Sequence, residues 1–285
     1  MTIENNGLMQ GKRGVIMGLA NDRSIAWGIA KALANQGAEL ALTYQGDAMK
    51  KRVMPLAEQL GAKLVLSCDV GDDAQMDQTF AQIEQEWGQL DFLVHAIGFS
   101  NKDELKGMYL DTSRDNFIMS MDISVYSFTA LAKRAAPLMK EGGGMLTLTY
   151  HGSTQVMPNY NVMGVAKAAL EASVRYLAAD LGRDNIRVNA ISAGPIKTLA
   201  GSGIGDFRAI LRWNELNAPL KRTVSIDDVG NSSLYLLSDL GRSVTGEIHY
   251  VDSGYNAVGM IAPDAAGDLA ELLASMAPKY SADKS

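Results

Sequence analysis

Seven short runs of branched apolar residues, each followed by a stretch with helical or loop character, constrain this chain more than any other feature. The runs fall at 13–19, 38–43, 63–67, 90–96, 145–149, 187–192 and 247–251, and several, such as Val-Ile-Met at 15–17 and Leu-Ala-Leu at 40–42, have no polar alternation. A strand that is apolar on both faces must be covered on both, which is the condition of a parallel sheet between two helical layers. Helices are expected at 25–36, 49–60, 73–87, 114–140, 160–181 and 226–238, carried to the two faces by right-handed crossovers. The predicted fold is α/β, a single-domain doubly wound parallel sheet of Rossmann-like type with about seven strands. With 285 residues, 47% of them hydrophobic, and no repeat or low-complexity linker, residues 1–259 are read as one domain. Two stretches break the pattern. Residues 193–217 are rich in glycine and small side chains, and 260–285 form a tail; such segments serve as lids or loosely ordered ends.

The charge balance narrows what such a domain binds. With 26 basic against 32 acidic side chains and a net charge of -6, the chain has neither a nucleic-acid groove nor a polybasic membrane anchor. A small molecule is the expected ligand, with no nucleic-acid and no membrane partner. Cys68 is the single cysteine, residues 1–13 lack the apolar core of a secretion signal, and no apolar stretch is long enough to span a bilayer. A reducing cytoplasm is the expected location. Three histidines, one cysteine and scattered acids give no metal-ligand spacing, so no metal is expected.

Ligands of open parallel sheets bind beyond the carboxyl ends of the strands. After the first strand the chain reads Gly18-Leu19-Ala20-Asn21-Asp22-Arg23-Ser24-Ile25-Ala26-Trp27-Gly28 and then turns helical. The literal Gly-x-Gly-x-x-Gly is absent, yet the turn can aim backbone amides and a helix N-terminus at a pyrophosphate. Gly18 suits the tight turn, Ser24 adds a hydroxyl to its own amide, and Ala26 is small enough for close packing on the strand. The second strand ends at Tyr44 and Gln45. Gln45 can hydrogen-bond a ribose hydroxyl but cannot neutralise a phosphate, which favours NADH over NADPH; Lys50, Lys51 and Arg52 are read as a solvated helix face. Asp69 and Val70 can read an adenine edge, while Asp72 and Asp73 are placed to cap the following helix. Ile97 and Gly98 follow the fourth strand, where glycine lets backbone approach a cofactor.

The fifth strand runs into Tyr150, and the next helix carries Tyr160 and Lys167. Seven residues turn a helix through about 700° with a rise of roughly 10 Å, so both side chains face the same way and can converge on one bound cofactor. Such a pair is ordinarily structural; its place at the ligand edge of the sheet gives it chemistry.

At these positions the chain resembles the enoyl-[acyl-carrier-protein] reductases of bacterial type II fatty-acid synthesis, within the short-chain dehydrogenase/reductase superfamily. The likeness spans residues 11–254 and rests on Ser-Ile-Ala-Trp-Gly at 24–28, His-Ala-Ile-Gly-Phe at 95–99, Tyr-Asn-Val-Met-Gly at 160–164 and Asn-Ala-Ile-Ser-Ala-Gly-Pro-Ile-Lys-Thr-Leu-Ala at 189–200. Other superfamily members use Tyr-x3-Lys and Asn-Asn-Ala-Gly where this chain has Tyr-x6-Lys and His-Ala-Ile-Gly.

The resemblance implies reduction of a trans-2-enoyl thioester carried by acyl carrier protein, with NADH as hydride source, in a homotetramer built through the helices near 114–140 and 160–181. It also implies that Gly18, Ser24, Ile25, Gln45, Asp69, Val70, Ile97 and Lys167 contact the dinucleotide, with Ile196, Lys197, Thr198, Leu199 and Ala200 beside the nicotinamide and pyrophosphate. Ser100 falls where the family contacts the acyl substrate. Tyr150 and Tyr160 match the two family tyrosines, with Tyr160 facing the thioester carbonyl. Hydride addition at the β-carbon pushes charge onto that oxygen, so the site needs a donor aimed at it.

Met163 can line an apolar acyl slot, and the segment 195–213, with Leu199, Ile204, Phe207 and Ile210 among glycines, has the composition of a flap over an apolar chain. His95 is expected to pack beside the cofactor strand, and His151 and Ser153 to be turn residues. Arg208, Arg212, Lys221 and Arg222 are the candidates for carrier-protein docking. Two other readings suit the same sheet: a carbonyl-reducing superfamily member, disfavoured by the missing motifs, and a non-catalytic dinucleotide sensor, disfavoured by Tyr160 and Lys167.

Overall fold

In a computed structural model, which describes residues 5–199, 201 and 206–280, all seven predicted runs lie in one sheet. The strands are β1 (Arg13–Met17), β2 (Glu39–Tyr44), β3 (Leu64–Ser67), β4 (Phe92–His95), β5 (Gly143–Thr149), β6 (Ile186–Ala193) and β7 (Ile248–Val251). Every pairing is parallel and the spatial order is β3-β2-β1-β4-β5-β6-β7, so the order reverses between β1 and β4. The helices are α1 (Ile25–Ala34), α2 (Gly46–Leu60), α3 (Asp73–Trp87), α4 (Arg114–Met121), α5 (Ser127–Ala135), α6 (Asn161–Leu181), α7 (Phe207–Asn217), α8 (Ile226–Leu237) and α9 (Ala266–Tyr280).

The continuous apolar runs have the cause inferred from them. Val15 and Met17 of β1 join Leu93, Phe128 of α5 and Leu170 of α6 in one buried cluster, whereas Ile16 between them joins Leu40, Leu42, Ile29 of α1 and Leu234 of α8 in another. Neighbouring side chains of a strand point to opposite faces, and here both faces are covered. On the second face α1 and α8 cross at glycines. A Cβ on Gly28 would lie 2.2 Å from the Ile226 carbonyl oxygen, and one on Gly230 would lie 2.5 Å from that of Gly28. Gly28, at the end of the phosphate-loop motif, therefore serves helix packing.

Three segments depart from expectation. The helix foreseen over 114–140 is interrupted: α4 gives way to a π-helical turn, Asp122–Tyr126, before α5, and Pro137 lies in a closing 3-10 turn. Serine hydroxyls compete for the backbone there, Ser127 Oγ donating to the Ile123 carbonyl at 2.7 Å and Ser124 Oγ to that of Phe99 at 3.2 Å. The stretch 193–217 contains a helix, α7, and the tail contains α9. The two pack on each other through Leu216 and Leu269, joined by Ala265 of the turn before α9, with Arg212 bridged to Asp268, and Lys221, beyond α7, bridged to Asp264 of that turn. Each apolar face finds its partner outside the sheet, so a search for strand–helix alternation passes over both. Of the expected flap and cofactor residues, Ile204 and Ala200 lie outside the described residues. Among the described residues, no helix is long and apolar enough to cross a membrane, and no His/Cys/Asp/Glu group is arranged to hold a metal ion.

Candidate active site

The carboxyl ends of β1 and β4 frame the cofactor end. Gly18 has φ +99°, and a Cβ there would fall 2.1 Å from the Ala96 carbonyl oxygen, so the β1–α1 turn lies directly against the end of β4 and admits only glycine. Ser24 occupies the N-cap of α1, and its Oγ accepts from the amides of Ala20 at 3.1 Å and Asn21 at 3.0 Å. That hydroxyl shapes the loop. The amides of Ile25 and Ala26 begin the helix and have no acceptor within it, and together they are the anion-binding feature of the turn.

At the far side of the crevice, Gln45 Nε2 donates to Asp69 Oδ2 at 2.8 Å, which brings together two residues singled out separately from the sequence. Asp69 Oδ1 also accepts from the Gly71 amide at 2.9 Å, so turn chemistry is part of its role, and Asp72 caps α3 as expected. Val70 is buried and Ile97 packs against the same core. The carboxylate of Asp69, an acceptor only, fixes the Gln45 amide with its nitrogen towards it. These groups suit an adenosine with free ribose hydroxyls.

The reacting end is built on β5 and α6. Tyr160, the first residue of the expected helical range, is the N-cap residue of α6, which begins one position later, and the Tyr150 and Tyr160 rings meet edge to face with centroids 5.1 Å apart. Gly152 makes room for this: a Cβ there would lie 2.5 Å from the Tyr160 ring. Burial raises both phenol pKa values above the ordinary tyrosine range, with Tyr255 adding to the effect at Tyr150, and Tyr150 and Glu171 adding to it at Tyr160. Both are protonated donors at neutral pH.

Lys167 is 7% exposed and donates from Nζ to the Leu148 carbonyl at 2.8 Å. Burial lowers its pKa to about 8, Glu171 working in the opposite direction, so the ammonium persists at neutral pH. A Cβ on Gly98 would lie 3.5 Å from Lys167 Nζ, 3.7 Å from Met163 Cε and 3.8 Å from Ser124 Oγ. Met163 in turn packs with Tyr150, Tyr160, Leu105 and Val162. The space over Gly98 thus touches the ammonium on one side and the apolar wall of the tyrosine pair on the other. It is a cradle that fits a planar cofactor ring and an acyl chain.

Beneath this cradle His95 is fully buried, its Nδ1 2.8 Å from Thr147 Oγ1 and its Nε2 2.9 Å from Ser127 Oγ. Both hydroxyls also donate to backbone, Ser127 Oγ to the Ile123 carbonyl at 2.7 Å and Thr147 Oγ1 to that of His95 at 3.3 Å. Burial, and secondarily Lys167, lowers the histidine pKa to about 3.

Other expected residues are placed differently. The Ser100 hydroxyl donates to Asn116 Oδ1 and accepts from Ser120, so it ties the loop to α4. Phe207 covers Gly201, where a Cβ would fall 2.8 Å from its ring. Thr198 Oγ1 accepts from the Gly201 amide, Ile196 packs against the core, and Lys197 and Leu199 are exposed. His151 and Ser153 form a 3-10 turn, with the His151 ring against Tyr250 and Tyr255. Three of the four proposed docking bases are paired within the chain, Arg212 with Glu215 and Asp268, Lys221 with Asp264 and Arg222 with Asp228, which weakens that surface. Sequence reasoning missed Gly152, Ser124, Thr149 and Glu171. Only Glu171 left a signal, since it lies one helical turn beyond Lys167.

Comparison with known proteins agrees with this geometry. A family model described as Enoyl-(Acyl carrier protein) reductase matches residues 18–256. The chain is 72% identical over 260 residues to Enoyl-[acyl-carrier-protein] reductase [NADH] 1 of Rhizobium meliloti, covering 91% of this chain and 96% of that one. Among solved structures, the Anaplasma phagocytophilum reductase in complex with NAD is 60% identical with a TM-score of 0.87, covering 90% of this chain and 96% of that one. The Bacillus cereus enoyl-acyl carrier protein reductase, solved with NADP+ and indole naphthyridinone, is 54% identical with a TM-score of 0.87, covering 89% of this chain and 99% of that one. A seven-stranded parallel sheet with its glycine turn, tyrosine pair and buried lysine at one edge, matched over most of its length, places this chain in the enoyl-[acyl-carrier-protein] reductase family.

Proposed function

We propose that this chain reduces the carbon–carbon double bond of trans-2-enoyl thioesters carried by acyl carrier protein, using NADH, in fatty-acid elongation. The observation that carries this reading is the pair of protonated phenols beside a cradle that ends on a buried ammonium. The first-turn amides of α1 and the Gly18 turn would hold the pyrophosphate, Gln45 and Asp69 the adenosine, and Lys167 the nicotinamide ribose. Bound NADH supplies the hydride. Tyr160 then acts on the substrate: its phenol donates to the thioester oxygen as negative charge grows there, and removing such a donor costs about 3–4 kcal/mol of barrier. The Lys167 ammonium strengthens that donation without ionising the phenol, because burial holds the Tyr160 pKa high. Tyr150 fixes the Tyr160 ring from its edge, and Met163 lines the acyl slot, with α7 and Phe207 covering the entrance.

A homotetramer is part of the proposal. Phe117 and Ile118 of α4, Tyr126 of the π turn, and Val165 and Tyr176 of α6 are exposed apolar residues on the two helices expected to pair copies. A cytoplasmic location fits the lone buried Cys68.

The test is an absorbance assay of NADH oxidation with a short trans-2-enoyl thioester against the matching 3-ketoacyl thioester. Turnover of the enoyl substrate alone is expected; turnover of the ketone alone returns the carbonyl-reductase reading, and turnover of neither returns the sensor.

A further inference from the structure

Glu171 is a carboxylate in an expensive place. It sits on α6 one turn beyond Lys167, is 6% exposed, and accepts a hydrogen bond from Thr149 Oγ1 at 2.7 Å. Thr149, itself buried, is the last residue of β5 and directly precedes Tyr150. An ionised carboxylate is taken out of water only where charge and hydrogen bonds compensate it.

The ionisable groups around it are few. Glu171 acts electrostatically on Lys167 of the same helix, on Tyr160 at its start and on His151 after β5; His95 of β4 is coupled to Lys167, Tyr150 meets Tyr160, and Asp252, a second buried carboxylate, acts on His151. His95 is held neutral by burial, and both phenols are protonated. His151 is also kept from its proton by burial. Within this group Lys167 is the cation, and Glu171 is the carboxylate that acts on it. No bridge of 4 Å or less joins them, so Nζ stays on the Leu148 carbonyl and the ammonium remains available to a ligand.

We propose that Glu171 is the buried counterion of Lys167, tethered by Thr149 so that it sustains the ammonium from a distance without occupying its hydrogen-bonding directions. This rests on the reading that Lys167 holds the nicotinamide ribose. Glu171 touches neither substrate nor cofactor and is a positioning residue. The electrostatics agree in sign: burial pulls Lys167 down to about 8 and Glu171 pulls it back up. Without the carboxylate, the ammonium loses its proton at lower pH.

Glu171→Gln is the test, because it keeps an acceptor for Thr149 and the shape of the side chain while deleting the charge. NADH affinity is measured by fluorescence titration between about pH 6 and pH 9.5, alongside the pH profile of kcat/KM. The high-pH limb of both is expected to move down by about one unit, so that NADH binds about tenfold more weakly at the alkaline end and nearly as in wild type at the acid end. A loss that is equal at every pH, or an unmoved limb, would show that Glu171 only packs the helix.

If the glutamine variant does not fold, the single and double methionine substitutions at 167 and 171 decide. A double variant destabilised by less than the sum of Lys167→Met and Glu171→Met supports the pairing, and strict additivity overturns it. Lys167→Met with unchanged NADH affinity would remove the ribose role of Lys167 while leaving the stability coupling to stand or fall by itself.

Discussion

The edge of Tyr150 meets Tyr160 at an interplanar angle of 76°, and Gly152 leaves the gap that lets the second ring settle there. One phenol is thereby held by another aromatic ring in place of a polar clamp. Tyr160→Phe keeps that packing and deletes the donor. We expect kcat to fall about 10²–10³-fold while NADH affinity measured by fluorescence stays near wild type. Tyr150→Phe preserves the edge contact and should cost about tenfold or less; an equal loss in the two variants would assign the donor role to Tyr150.

Gly18→Ala tests the cofactor turn. A side chain at φ +99° is strained by about 1–2 kcal/mol, and the added carbon would press on the Ala96 carbonyl at 2.1 Å. The turn must move, and with it the amides of Ile25 and Ala26. At least a tenfold rise in the NADH dissociation constant, by titration calorimetry, is the expected outcome.

His95 gives the fold an acid-sensitive element. In the folded chain it takes a proton only near pH 3, against 6.5 when exposed, so the unfolded chain binds an extra proton in between. The stability contributed by the neutral ring is complete above pH 6.5 and is lost as pH falls towards 3. Over that whole interval it amounts to something on the order of 5 kcal/mol. Urea denaturation of wild type and His95→Gln at neutral and acid pH should therefore give a steeper fall for wild type, and parallel slopes would exclude the histidine as the cause.

Much of this was legible in the chain. Runs such as Val15-Ile16-Met17 announce a doubly covered strand because each neighbour faces a different core, and several of the seven strands show that pattern. Gln45, Asp69, Tyr160 and Lys167 could be singled out because topology brings strand ends to one edge. What escaped notice depends on distant partners. The buried Thr149–Glu171 bond joins residues 22 apart, and the π turn at Asp122–Tyr126 exists through hydroxyls that contact β4 and its loop. Helices α7 and α9 escaped because each completes the other's apolar face, a relation no single period records.

That relation can be measured. Leu269 is 2% exposed between α9 and α7. Leu269→Ala should weaken the docking by about 2–5 kcal/mol, loosen α7 and raise KM for the enoyl thioester more than it lowers kcat. Protease cutting within 207–217 should accelerate in the variant and slow again with cofactor and a substrate analogue. Identical cutting under all conditions would separate α9 from any covering role.

Isotope transfer reaches the chemistry most directly. With NADH deuterated at its transferable position and a trans-2-enoyl thioester as substrate, mass spectrometry of the product should find one deuterium at the β-carbon of a saturated acyl chain. A saturated product without deuterium, or label found only in a hydroxyacyl product from the ketone, would contradict the account.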